Sequence, residues 1–244
     1  MRLKAQDLFS CHPSATDLFG FNSGQEMQVS CPFLFMKSCI LTGGIGCGKS
    51  SAASILVQHF GSRIAVFSAD TEAQKWLDDE AVMDELVKQM GEQAVHVEGG
   101  HRRASRDFLR ERVFASPDAR KTLESIIHPH VFAALKAGRA EAEKMGAELF
   151  LAEVPLHYET GATVTADLII VVAASRAVQV RRLMERRGLN EPVIEQMLSS
   201  QWPIEAKVER ADVVIWNDGD PAALEAQLLT LARQHWHDES NRNL

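Results

Sequence analysis

The stretch Leu41-Thr42-Gly43-Gly44-Ile45-Gly46-Cys47-Gly48-Lys49-Ser50 constrains this chain more than any other. Gly43, four residues, then Gly48-Lys49-Ser50 fit G-x-x-x-x-G-K-[ST], a phosphate-binding loop when a strand precedes it and a helix follows. Glycines let successive backbone N–H groups turn inward around phosphate oxygens. Lys49 brings a point charge to the outer phosphates, and the Ser50 hydroxyl can complete a Mg²⁺ shell. The positive end of the helix dipole meets the same anion. Gly44, Ile45, Gly46, Cys47, Gly48, Lys49, Ser50 and Ser51 are therefore the candidate ATP-binding residues of the loop.

Both flanks are present. Ser38-Cys39-Ile40-Leu41 is a short apolar run, as in a strand buried on both faces. Lys49 to Phe60 carries Ala52, Ala53, Leu56 and Phe60 at helical spacing, with Gly61 as a stop. Further strands are read at 63–67, 148–155, 167–172 and 211–217, alternating with helices. The expected fold class is α/β: a three-layer α/β/α sandwich of phosphate-loop kinase type on a five-stranded parallel sheet, with a helical acceptor-binding insertion and a lid.

The kinase domain is placed at 36–236. Within it, residues 72–90 are expected to form a helix, and 91–105 a loop or hairpin. Ser116-Pro117 opens another helix with an N-cap and an N1 proline, and His128-Pro129 marks a break before one running to about Met145. Region 71–146 is too long for a plain crossover and is read as the insertion, and 176–200 as the lid. Residues 1–35 lack steady periodicity and read as a disordered tail or a start assigned too early, and 237–244 as a polar tail.

Composition narrows the class. A formal charge of −7 argues against a broad nucleic-acid-binding face. Four cysteines form no C-x-x-C pair, which suits a reducing compartment. No apolar stretch approaches the ~18 residues of a membrane span, and residues 1–35 hold no apolar signal core. A cytoplasmic enzyme with no membrane or nucleic-acid partner is expected; the oligomeric state is left open.

Phosphoryl transfer needs positioning and charge neutralisation more than covalent participation. Asp70 follows an apolar strand, so its carboxylate should emerge at the sheet's carboxyl edge, where ligands of open α/β sheets sit. It is the candidate base, with a helix N-cap from Thr71 onward as the bland alternative. Arg182 and Arg186, four apart on one helix face, are the candidate lid cations, against a merely solvated basic surface.

These residues together resemble one family closely, dephospho-CoA kinase, over roughly 38–231. The similarity rests on the loop, Ser68-Ala69-Asp70, Arg106 through Val113-Phe114, His128-Pro129, and Glu153-Val154-Pro155-Leu156 with Glu159. Gln201, Pro203, Lys207, Ala211-Asp212, Ile215, Asn217 and Gly219 extend it. The resemblance implies transfer of the ATP γ-phosphate to the ribose 3′-hydroxyl of dephospho-CoA, with Mg²⁺ at Ser50. It implies Asp70 and Lys49 as catalytic, Arg182 and Arg186 on ATP, and Asp70, Arg106, His128 and Pro155 on the acceptor. Glu153 is a second metal-facing candidate. Ser68 departs from the family's first Asp, Glu153 from its Asp, His157-Tyr158 from an apolar pair, Cys47 from Ser and Arg187 from an acidic residue. Apart from the resemblance, His128 reads as a helix cap ahead of an N1 proline.

Rival readings are another phosphate-loop small-molecule kinase, such as one acting on nucleoside monophosphates, and a non-catalytic nucleotide-binding homologue. A GTPase switch would need an Asn-Lys-x-Asp motif, and none occurs.

Overall fold

In chain order the elements are β1 (Lys37–Gly43), α1 (Lys49–Phe60), β2 (Ile64–Ser68), α2 (Ala69–Leu77), α3 (Glu80–Met90), β3 (Val95–Glu98), β4 (His101–Ala104), α4 (Arg106–Ala115) and α5 (Pro117–Lys144). There follow β5 (Leu149–Glu153), β6 (Leu168–Ala173), α6 (Arg176–Arg187), α7 (Glu191–Ser199), α8 (Ile204–Val208), β7 (Val213–Trp216) and α9 (Pro221–Trp236). This computed structural model describes residues 36–161 and 164–236, without the side chains of Arg186 and Arg187. The expectations for 1–35 and 237–244 lie outside the described residues.

The main sheet has five parallel strands in the order β2-β5-β1-β6-β7. Alternation along each central strand feeds two apolar layers. Cys39 and Leu41 of β1 and Leu149 and Leu151 of β5 join α1 and α9 on one face. Ile40, Phe150 and Ala152 meet Leu135 and Ala142 of α5 on the other. Being apolar on both sides is what a strand covered by helices on both faces requires. Each of these large side chains contributes about 1.5–3 kcal/mol on burial. The chain leaves β1 toward β2 on one side and crosses from β5 over to β6 on the other, so the topological switch point lies at β1, where a crevice opens.

The insertion has its own small core of Val82, Leu86, Leu109, Ile126, Ile127 and Val131, closed by the β3–β4 hairpin. Two expectations need correcting. The helix read at 72–90 is two helices, because Asp79 turns its carboxylate onto the N–H groups of Ala81 and Val82 and starts α3 afresh. The break at His128-Pro129 does not occur: α5 runs from Pro117 to Lys144 with Pro129 inside it. The lost backbone hydrogen bond is outweighed because this one helix is anchored in both cores, by Ile126, Ile127 and Val131 at one end and Leu135 and Ala142 at the other. His128 is therefore mid-helix, and its reading as a cap falls. The expected cap at Ser116 holds, accepting from Ala119 N at 3.2 Å.

Candidate active site

β1 ends at Gly43, with φ 141°, and the chain then turns through the glycines of the phosphate loop into α1. A side chain at Gly43 would run into the Val172 carbonyl of β6, and one at Gly48 (φ 94°) into the Asn217 amide just past β7. Glycine is required at both places by close approach and by backbone conformation. The loop is gripped from behind. Asn217 Nδ2 donates to Cys47 O at 2.8 Å, and Gln179 Nε2 to Cys47 Sγ at 2.7 Å. Gln201 Oε1 accepts from Ile45 N at 2.9 Å. Cys47 is buried, so its thiol serves as a packing contact behind the loop.

In front of the loop lies a cleft of about 340 Å³. Ile45, Gly46, Gly48, Lys49, Ser50 and Ser51 form one side; Asp70, Glu153, Pro155, Arg182, Leu183 and Gln201 complete it. Gly44 and Cys47 belong to the loop but not to this lining. Lys49 Nζ donates to Gly43 O at 3.1 Å and Gly44 O at 2.9 Å, so it is held along the loop rather than solvated. Burial pushes its ammonium below the ordinary lysine range, with Asp70 and Glu153 pulling the other way. Glu153, at the end of β5, is pushed above the usual carboxylate range, first by burial and then by Asp70, against the pull of Lys49.

Asp70 is exposed in the first turn of α2, and the cap of that helix is Ser68, whose hydroxyl accepts from Thr71 N at 3.3 Å. The capping alternative for Asp70 is thereby removed, and its carboxylate faces the cleft with the positive end of the helix dipole behind it.

From α6, Arg182 reaches the loop carbonyls of Gly46 (3.3 Å) and Cys47 (3.5 Å) and the Asn217 amide oxygen (3.4 Å), all long contacts. Leu183 is buried and Val178 and Val180 half-buried, so the helix is anchored as expected. Ser175 occupies the N-cap position without a side-chain bond; instead its N–H donates to Asp218 at 2.7 Å. Arg186 lies one turn further along α6, its side chain outside the described residues.

Pro155 lines the cleft, and its carbonyl accepts from Thr42 Oγ1 at 3.2 Å and from Lys207 Nζ at 3.3 Å. Lys207 is completely buried and pairs with Glu159 at 2.7 Å. Arg106 and His128 are not brought to the cleft. Arg106 pairs with Asp78 at 3.2 Å and lines a separate pocket beside the hairpin. Arg102 is likewise held, by Glu80 at 2.7 Å and Asp84 at 2.8 Å. His128 sits half-buried in α5 with its ring 5.7 Å from that of Phe132.

The roles of Gln179, Gln201, Lys207 and Asn217 behind the loop were not foreseen. The last three lie in the C-terminal pattern quoted above, which marked the positions without their contacts. Gln179 carries no signal, since a glutamine on a basic helix reads as solvent-facing.

The family model for dephospho-CoA kinase matches residues 38–223 of this chain. The chain belongs to the dephospho-CoA kinase family. The dephospho-CoA kinase of Anaeromyxobacter dehalogenans is 36% identical over 190 residues, covering 78% of this chain and 87% of that protein. The Geobacillus kaustophilus dephospho-CoA kinase is 33% identical over 195 residues, covering 80% and 94%. Among solved structures, TT1252 from Thermus thermophilus superposes with a TM-score of 0.67 at 31% identity, covering 82% of this chain and 98% of the other. Dephospho-CoA kinase from Campylobacter jejuni superposes at 0.58 with 25% identity, covering 82% and 96%.

Proposed function

We propose that this chain transfers the γ-phosphate of ATP to the ribose 3′-hydroxyl of dephospho-CoA, giving coenzyme A and ADP. The observation that carries the reading is the joining, in one cleft, of a phosphate loop with two carboxylates at the carboxyl ends of neighbouring strands, Asp70 just past β2 and Glu153 at the end of β5. The loop N–H groups and Lys49 bind the ATP phosphates, and Arg182, with Arg186 one turn on, neutralises charge on the group in transit. Asp70, exposed at the cleft edge, aligns the acceptor hydroxyl and takes its proton as the phosphoryl group moves.

Magnesium fits this donor set. Among the described residues no three acidic, histidine or cysteine side chains gather as a metal cage. Mg²⁺ needs none, since it binds through one or two protein oxygens, waters and substrate phosphates. Ser50, with Glu153 second, would hold it, and it would supply charge neutralisation between the β- and γ-phosphates.

A second reading of the base has its own support. Burial raises the Glu153 carboxyl toward neutral pH, where a base transfers protons more effectively than an ordinary carboxylate. Asp70→Asn and Glu153→Gln, assayed side by side, decide between them: the base variant loses the larger factor in kcat with ATP affinity kept. The overall reading is tested by incubating the full chain with ATP and dephospho-CoA, nucleoside monophosphates, or no acceptor. Coenzyme A and ADP in equal amounts, with dephospho-CoA alone, is the expected result. ADP without coenzyme A, or faster turnover of a monophosphate, refutes it. No helix among the described residues is long and apolar enough to cross a membrane.

A further inference from the structure

The wall of the phosphate cleft continues into a second pocket. The chain passes from Pro155, which lines the cleft, to Leu156, which lines a neighbouring space of about 280 Å³, and Gln201 borders both. Val113 and Phe114 at the end of α4 and Leu123 of α5 give this space apolar walls. Phe114 leaves 41% of its surface exposed, so part of its ring is open to a ligand in this space. Glu124 and Glu159 also border the space, against one cation, Arg120. Glu159 is engaged through one oxygen only: Oε1 accepts from Lys207 Nζ at 2.7 Å and from Trp202 N at 2.9 Å. Its Oε2 is buried with no hydrogen-bond partner.

We propose that this pocket takes the adenine base of the acceptor nucleotide, stacked on Phe114. The inference rests on the reading above, in which the acceptor presents a ribose 3′-hydroxyl to the cleft. That hydroxyl and the base are carried by one five-membered ring, so the base must enter a space adjoining the cleft. Its only competitor there is the chain leaving the 5′ carbon, and that chain begins with a pyrophosphate. With Glu159 paired to Lys207, the charges around this space balance, so it offers no net positive charge to hold a pyrophosphate, whereas a neutral flat base needs none. An aromatic face and aliphatic walls are what a base stacks upon. The exocyclic amino group of adenine is also the kind of donor that the buried Glu159 Oε2 lacks.

The test is kinetic and leaves the buried Glu159–Lys207 pair untouched. Dephospho-CoA and its analogue with hypoxanthine in place of adenine are compared as acceptors, with wild type, Phe114→Ala, Phe114→Leu and Phe114→Trp, at saturating ATP. The half-exposed ring makes unfolding of these variants unexpected, and Phe114→Leu keeps most of the volume should the alanine variant fail to fold. Wild type should prefer the adenine acceptor about tenfold or more in kcat/KM. Phe114→Ala and Phe114→Leu should raise the KM for dephospho-CoA roughly five- to a hundredfold, erode that preference, and leave the KM for ATP alone. Phe114→Trp should restore tight binding. An unchanged acceptor KM in Phe114→Ala overturns the proposal. So does a raised KM with the base preference intact, which would assign the ring to the pantetheine arm. Failure of wild type to make coenzyme A at all would instead refute the function proposed above.

Discussion

Ser68 and Glu153 are register partners at the carboxyl ends of the adjacent strands β2 and β5. Ser68 spends its hydroxyl on the first turn of α2, so the residue beside the half-buried carboxyl of Glu153 is neutral. The family resemblance implies an aspartate at this position, and the serine leaves this strand end one negative charge lighter. The nearer charges, Asp70 and Lys49, then act on Glu153 in opposite directions.

Ser68→Asp should keep the cap, since aspartate caps as well as serine, but place a second carboxylate beside Glu153. A like charge disfavours ionisation, so the Glu153 carboxyl should rise further above the usual carboxylate range. If the reaction needs Glu153 ionised, activity is lost as pH falls through that raised value. The acid limb of the kcat/KM profile should therefore lie above the ordinary carboxylate range in wild type and move to still higher pH in Ser68→Asp. An acid limb that does not move would mean that Glu153 is not the group that titrates there.

For Asp70 the structure removes the competing structural role. Because Ser68 caps α2, Asp70→Asn should change stability by no more than a few tenths of a kcal/mol, the size of one exposed charge near a helix dipole. Loss of a general base typically costs ~10²–10⁴ in rate. We expect a folded variant that binds ATP with kcat down at least about a hundredfold. More than a tenth of wild-type turnover would shift the base to Glu153.

The phosphate loop, the strand ends and the placing of Asp70 and Glu153 were legible because each rests on local sequence: glycines where φ is positive, apolar runs, and the acidic residues that follow them. What was not legible depends on distant contacts. Pro129 reads as a helix break unless one knows that the residues on both its sides pack into separate cores. Arg106 reads as an anion ligand until Asp78, 28 positions away, is seen beside it. Lys207 stands in the C-terminal pattern quoted above, but nothing near it in sequence shows that it is wholly buried against Glu159.

Arg182 lines the cleft and reaches the loop carbonyls of Gly46 and Cys47 and the Asn217 amide, a position from which its guanidinium can meet a phosphate held by the loop. Arg182→Ala should lower kcat by about 10²–10³ and alter the KM for dephospho-CoA little, because the charge it meets develops in the transition state. Stopped-turnover measurements with saturating ATP would show this. A raised acceptor KM with kcat intact would place α6 at the acceptor instead.

His157 gives a separate reading of stability. It is 2% exposed, and burial pushes its imidazole below the ordinary value of 6.5. The unfolded chain therefore takes up a proton first as pH falls. Its contribution is fully present above the ordinary histidine value and is lost as pH falls toward the folded one. Between about pH 7 and pH 5, urea midpoints of wild type should fall more steeply than those of His157→Leu. Parallel curves would mean that another group sets the acid limb.

The last prediction concerns the pair that holds the back of the site. Lys207 is completely buried and Glu159 is nearly so, at 14% side-chain exposure. Through this pair the cleft residue Pro155 is tied to Trp202, and Trp202 follows Gln201, which holds the loop at Ile45 N. Lys207→Met fills the space but strands the Glu159 carboxylate in a buried place. Removing one partner of such a pair costs about 3–5 kcal/mol, most of it the penalty for the charge left behind. Adding Glu159→Gln neutralises that charge while keeping an oxygen for the Trp202 N–H, so the double variant should recover a large part of the loss. Urea unfolding of the two single variants, the double variant and wild type gives the coupling directly. Additive losses would mean that Lys207 and Glu159 do not depend on each other, and that Gln201 holds the phosphate loop without support from this pair.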